Sequence, residues 1–320
     1  MYIHAYRDEA FVSAGYSPDT ITAYIADEGR DAYDLSGCYN KEYTTHYIHW
    51  VNRDRRSYSV GQRIIDPRTG QILQGHVRIE SLRFRQDALI IQALLTPFST
   101  RDTINRSVYE GIIQQRCKLL IAHEVGHTLG LTHNFAGSTY SPSDTASTTA
   151  TSTTAADFNP VAGAAVLGSV MDYPPPLVTV NHTDGSIILS SHAYSADHIG
   201  YYDKTAIEYA YRVFPNTTIS SEFTLLCELI SDAELAGYVI VTDEDAAPDG
   251  ADWRGTKWDS GNDPIQALNH SILVRNIVLT QWNNASSNIE SDFRLESKVP
   301  FGYPLSLLRE LFPIVYFWHR

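Results

Sequence analysis

The run HEVGHTLGLTH at 123–133 constrains this chain more than any other stretch of it. On a helix, residues four apart lie about 40° apart around the axis, so His123 and His127 project side by side. Two imidazoles so placed can take adjacent corners of a zinc tetrahedron at about 2.0–2.1 Å. A third ligand cannot come from the next turn of the same straight helix without crowding the first two. Gly130 answers this, since it can adopt a left-handed conformation, end the helix and swing His133 round to the metal. Three neutral imidazoles leave a fourth position for water, which is the ligand count of one catalytic zinc rather than a structural one. Glu124, beside His123, is then expected to face that water as the general base, and afterwards to protonate a leaving amine. The competing reading is a helix that carries surface histidines near a glycine.

The rest of the chain reads as a mixed α/β (α+β) framework around that helix. Val108 to Leu131 forms one long helical pattern, with Ile112, Leu119, Ala122 and Leu129 on one side. Before it, 8–15 reads as a helix end closed by Gly15, and TAYIA (22–26) and HYIHWVN (46–52) read as strands. SYSVGQRI and QILQGHVRIES flank DPRTG at 66–70, a hairpin pattern, and 86–96 (QDALIIQALLT) reads as helical. SYSVGQRI at 57–64 is either an edge strand that pairs with an extended peptide or an ordinary sheet strand. From Gly137 to about Ala156 the composition turns to Ser, Thr and Ala, which marks a flexible surface insertion. Beyond it, 178–189 reads as a second hairpin turning at Asp184-Gly185, and Tyr201 to Val213 as an amphipathic helix. From Ile219 onward the pattern is α-rich with a long acidic loop at 243–263.

Composition narrows the function classes. The formal net charge of −13 over 320 residues argues against a generic nucleic-acid binder and against an anionic membrane surface. No run approaches the roughly 18 apolar residues of a membrane span. Cys38, Cys117 and Cys227 are too few and too scattered for a disulfide framework or a thiolate cluster. One disulfide plus a free thiol, or three free thiols, stay open. Cys117 reads as packed rather than as a ligand. The start, MYIHAYRDEAF, has no signal-peptide pattern. His76 reads as structural, and His182, His192 and His198 show no ligand spacing for a second zinc. Asp243, Asp245, Asp249, Asp252 and Asp259 would suit a structural calcium by number, but their spacing is not that of an EF-hand. Nothing in the sequence speaks to oligomeric state.

Downstream of the histidines, SVMDYP at 169–174 contains Met171, which is the sole methionine after Met1. HExxHxxGxxH followed by such a methionine resembles the metzincin signature. The resemblance implies that Met171 forms a Met-turn, an apolar floor beneath the histidines, where a soft side chain fits irregular space. Tyr173 lies where astacin-like and serralysin-like metzincins carry a tyrosine that helps hold the oxyanion; the other reading is an aromatic that only packs. DPRTGQILQGHV, SLRFRQD, AHEVGHTLGLTHNFAGS, SVMDYP and IGYYDKTAIEYAY together are similar to the EcxA-type Met-zincin family of bacterial zinc-dependent metalloproteases, over about residues 10–215.

That resemblance implies a mixed sheet with a long zinc-binding helix, a cleft, and an α-rich C-terminal subdomain. It divides the chain into 1–136, the N-terminal catalytic subdomain with the edge-strand hairpin; 137–217, the insertion, Met-turn and following helix; and 218–320, an α-rich extension. It implies a secreted, extracellular or periplasmic protein, and an upstream strand and longer first helix, so that the chain is expected to be N-terminally truncated. The expected activity is that of a zinc metalloendopeptidase on a peptide or protein bound in extended form. The alternative is a truncated, catalytically inactive zinc-binding or interaction module.

Overall fold

A computed structural model describes residues 10–15, 46–52, 58–95, 106–139, 168–174, 178–181, 186–189, 199–247, 252–259 and 263–287. β1 (Tyr47–Val51), β2 (Val60–Ile65) and β3 (Ile72–Glu80) make a mixed sheet in the order β1-β3-β2. β1 runs parallel to β3, and β2 antiparallel. The β2–β3 turn closes as the DPRTG pattern requires: Gly70 at φ +75 donates to Asp66 O at 2.8 Å, and Asp66 N donates to Gln71 O at 2.9 Å. At the other end of the sheet, alternate residues Val77 and Ile79 of β3 are buried.

α1 (Ser81–Leu95) begins five residues before the expected 86, because β3 feeds into it with no breaker between. Its polar first turns hide the helical period, yet Trp50 stacks on Phe84 at 4.9 Å and Arg83 reaches Asp87 one turn on. α2 (Arg106–Thr128) buries Ile112, Leu119, Ala122 and Val125, and Leu129 just beyond it is partly buried. β4 (Val178–Val180) and β5 (Ile187–Leu189) form the second hairpin, whose turn at 184–185 lies outside the described residues. α3 (Tyr201–Tyr211), α4 (Ile219–Leu235) and α5 (Pro264–Ser287) follow. The acidic stretch 243–263 is not loop throughout. It contains a short parallel pair, β6 (Ala246–Ala247) and β7 (Asp252–Thr256), where Gly255 lets the backbone approach Val241. The strand expected at 22–26 and the insertion from 140 to 156 fall outside the described residues. Among the described residues no helix is long and apolar enough to cross a membrane.

The main core joins β3, α2, Leu131, Val170, Met171, Ile199 and Ile207 of α3. A second cluster joins Ile90, Ile91 and Leu94 of α1 to Ile112, Ile187, Val274 and Val278, which fastens α5 to the far end of α2. A third, smaller one holds Phe135, Ala136, Val241 and Ala246.

β2 lies against α2 with no side chain between them at Gly61. A Cβ there would stand 2.1 Å from the Glu124 carbonyl oxygen and 2.9 Å from the His127 Cβ. Gly61→Ala therefore has to push the strand off the helix, and is expected to cost about 1–3 kcal/mol as an overpacked core substitution does. Urea denaturation of the variant beside the parent measures that loss.

Candidate metal centre

α2 ends on a Schellman arrangement. Leu131 N donates to Gly126 O at 3.1 Å and Gly130 N to His127 O at 3.1 Å, with Gly130 at φ +103. The expected end at Leu131 becomes Thr128, since the last turn is the cap itself. This cap turns the chain back, so that the Leu131 carbonyl accepts from His127 Nδ1 at 2.9 Å. Two residues later His133 faces the rings of the helix.

The three imidazoles share a geometry that suits one cation. His127 Nε2 lies 3.1 Å from His123 Nε2 and 3.2 Å from His133 Nε2. Tetrahedral ligands at about 2.0–2.1 Å stand about 3.3 Å from one another. The Nδ1 atoms explain why these nitrogens face inward. His123 Nδ1 bonds the Val170 carbonyl at 2.8 Å, His127 Nδ1 that of Leu131, and His133 Nδ1 the Asp243 carboxylate at 2.5 Å. A carbonyl accepts only, so Nδ1 carries the proton in His123 and His127, and Nε2 keeps its lone pair. Lone pairs converging at 3.1–3.2 Å repel one another unless a cation lies between them. Burial holds the His123 pKa down to about 3 and lowers that of His127, so both rings stay neutral as ligands must. The donor set fits zinc, and the three-histidine group can hold one ion.

Around it, the segment 168–174 is buried and pinned. Asp203 of α3, wholly buried, accepts from Ser169 Oγ at 2.8 Å, Val170 N at 2.8 Å and Gly200 N at 2.7 Å. Met171 is fully buried in the cluster that holds Ala122 and Val125, and its carbonyl accepts from Asn134 N at 3.1 Å. Tyr173 reaches the histidines directly: its hydroxyl lies 2.9 Å from His133 Nε2. Burial pushes its pKa up to about 12, so it stays a neutral hydrogen-bond donor. Glu124 is buried beside His123, and burial raises its pKa to about 7, offset in part by the Gly61 N–H. Asp172 and Asp259 are both buried and both bonded to Ser138, and burial raises both carboxyls.

The structure thus brings His123, Glu124, His127, His133 and Tyr173 together, with Gly130 at the turn and Met171 in the adjoining core. Sequence reasoning missed the partner of His133, Asp243, and the pins Asp203 and Asn134. The acidic DED run at 243–245 is the visible signal for the first, but nothing in its spacing singles out a histidine partner. Among the described residues those carboxylates do not converge. Asp243 pairs with His133 and Lys257, Asp252 with Arg254, and Asp259 bonds Ser138, so the structure gives a calcium no support. His76 is exposed and meets the His49 ring edge-on, at 4.7 Å. His182, His192, His198, Cys38 and Asp249 lie outside the described residues, whereas Cys117, half-buried, and Cys227, exposed, are free thiols.

A family model described as Met-zincin matches residues 106–298, more than half of the chain. No curated protein and no solved structure matches it.

Asp243 holds the one ring of the three that α2 does not carry. Asp243→Asn is expected to leave the fold intact and weaken zinc binding about 10- to 100-fold, the usual scale for a partner of a metal-bound histidine. Competition against a chelator of known affinity measures it.

Proposed function

The chain belongs to the Met-zincin family, and from that premise we propose that it is a zinc-dependent metalloendopeptidase, acting outside the cytoplasm on extended peptides. One observation carries the proposal: His127 Nε2 lies 3.1 Å from that of His123 and 3.2 Å from that of His133, while a buried glutamate adjoins them. His123, His127 and His133 hold the ion. Bound zinc supplies Lewis-acid polarisation of a carbonyl and a water of lowered pKa.

The remaining work falls to the chain's own groups. The Glu124 carboxyl takes a proton from the attacking water and returns it to the leaving amine. A pKa of about 7 lets one group do both near neutral pH, because neither transfer is then strongly uphill. The Tyr173 hydroxyl donates to the oxyanion that develops on the scissile carbonyl. Its distance of 2.9 Å from His133 Nε2 supports this role over mere packing. Among the described residues β2 pairs with β3 alone, which leaves its other edge for the backbone of the substrate. The buried turn at Met171 acts as the Met-turn, a rigid support under the rings. An inactive binding module would have no use for a glutamate kept buried and near neutrality at this position.

Glu124→Gln should retain one zinc per chain and lose at least about 100-fold in peptide hydrolysis. Metal analysis and a quenched-fluorescence peptide assay on the same preparation check both halves. Retained hydrolysis would remove Glu124 from the mechanism. For Tyr173→Phe, kcat should fall roughly 10- to 1000-fold with KM and zinc content nearly unchanged. Steady-state kinetics with an unchanged kcat would show that the ring only packs.

A further inference from the structure

A phenol stabilises an oxyanion best when it is held in place beforehand, because a donor that must first be ordered loses part of its effect to that ordering. Four aromatic rings lie against Tyr173 among the described residues. His123 is 5.3 Å away between ring centroids, His133 4.9 Å and Phe135 5.2 Å. The first two belong to the three-histidine group, and Phe135 is a wholly buried core side chain. The fourth, Trp258 at 5.4 Å and 31°, belongs to neither.

Directly after β7, three consecutive residues each engage a different part of the site. Lys257 Nζ lies 3.4 Å from Asp243 Oδ1, while the other Asp243 oxygen meets His133 Nδ1. Trp258 N donates to the Tyr173 carbonyl at 3.1 Å. Asp259 Oδ1 accepts from Ser138 Oγ at 2.8 Å, and Ser138 N donates to Asp172 Oδ2 at 2.9 Å. Asp172 Oδ1 in turn accepts from Tyr173 N at 2.6 Å. Both backbone polar groups of Tyr173 are therefore bonded, its N–H to Asp172 and its carbonyl to Trp258. Those bonds fix the backbone but not the ring, which turns about its side-chain torsions unless packing stops it.

The backbone of Trp258 sits at φ +66, a region that a bulky side chain rarely adopts and that glycine enters freely. The indole therefore has to be held by its contacts. Strain of this kind persists where neighbours over-determine it, and it gathers at functional sites. The contacts are the Tyr173 ring and the Arg83 guanidinium, which lies over the indole at 5.4 Å. Trp258, Tyr173, His123 and Glu124 line one cavity of about 260 Å³, so the indole stands beside the proposed reacting groups.

We propose that Trp258 is a positioning residue whose indole holds the Tyr173 phenol beside His133, where the oxyanion develops; this rests on the endopeptidase reading above. The Tyr173 hydroxyl already lies 2.9 Å from His133 Nε2, and packing on the indole keeps the ring from turning away. The hydroxyl is thereby ordered by folding, before substrate arrives. It gains a strong acceptor only as charge develops on the carbonyl oxygen, so its placement matters to the transition state and not to substrate binding. Loss of the indole then appears in kcat and leaves KM alone.

Two arms test the proposal. Trp258→Gly keeps the N–H, relieves the positive φ and removes the ring; Trp258→Phe keeps an aromatic face. With zinc-loaded protein, the glycine variant should lose at least about tenfold in kcat, with KM within about twofold and zinc content unchanged. The phenylalanine variant should recover to within about threefold of the parent. In a Tyr173→Phe background, Trp258→Gly should cost less than about twofold more, because the group it positions is gone. If the glycine variant does not fold, Trp258→Leu takes its place with the same expectation. Full additivity with Tyr173→Phe, or a raised KM at unchanged kcat, overturns the proposal and leaves the endopeptidase reading standing. The second arm needs no turnover: fluorine NMR of protein labelled with 3-fluorotyrosine, with the Tyr173 signal identified by its loss in Tyr173→Phe. That signal should shift in Trp258→Gly and return part of the way in Trp258→Phe. Absence of any cleavage by the parent overturns the endopeptidase reading instead, and the NMR arm then decides the placement alone: an unmoved signal overturns it.

Discussion

The convergence of three histidine lone pairs is the constraint that the rest of this molecule serves. Neutral imidazoles left to themselves would turn away from each other or share protons. Here each ring is locked from behind by a different part of the chain: Val170 for His123, Leu131 for His127 and Asp243 for His133. The partners lie 47, 4 and 110 residues away from their histidines. A three-histidine group assembled this way depends on tertiary structure even though its members are nearly contiguous. It also explains the kinds of partner chosen, since a carbonyl dictates the tautomer without adding charge, while a single carboxylate offsets part of the ion's charge.

Holding Val170 in place requires a buried polar clasp, and the chain supplies it with Asp203. Three donors satisfy one carboxyl in a site closed to water, and this ties the 168–171 turn to the first turn of α3. Asn134 does the same on the other side. Its side chain donates to Val239 O and accepts from Ala136 N and Val241 N, so the residue after His133 anchors the segment that ends in Asp243. Removing either clasp would leave several backbone donors unpaired in the interior, which costs more than the bonds themselves contribute.

Burial sets the electrostatic character of the centre. The same desolvation that keeps His123 neutral lifts Glu124 toward neutrality and holds the Tyr173 phenol protonated. Exclusion of water thus acts on all three groups at once, by penalising the charged form of each. Two neighbouring groups depart from this pattern, because the guanidiniums of Arg83 and Arg116 cannot shed their charge. Both meet the buried carboxylate of Asp87.

The grouping of the three histidines was legible in the sequence because it is a local matter. Helical geometry dictates that His123 and His127 adjoin, and Gly130 is the residue that tolerates the positive φ bringing His133 back. The DPRTG hairpin and the amphipathic period of 201–211 were readable for the same reason, as turn chemistry and side-chain period act within a few residues. The early start of α1 at Ser81 was hidden by its polar first turns, which carry no apolar period. The partners that orient the rings, the Asp203 and Asn134 clasps, and the crossing of α1 on α2 that pairs Arg116 with Asp87 left no such mark. Each depends on distant segments meeting in space, and an acidic residue such as Asp243 reads alike in sequence whether it faces solvent or a histidine. Local backbone physics determined which groups can hold a metal; tertiary packing decided their tautomers and charge, because burial and long-range hydrogen bonds exist only in the assembled fold.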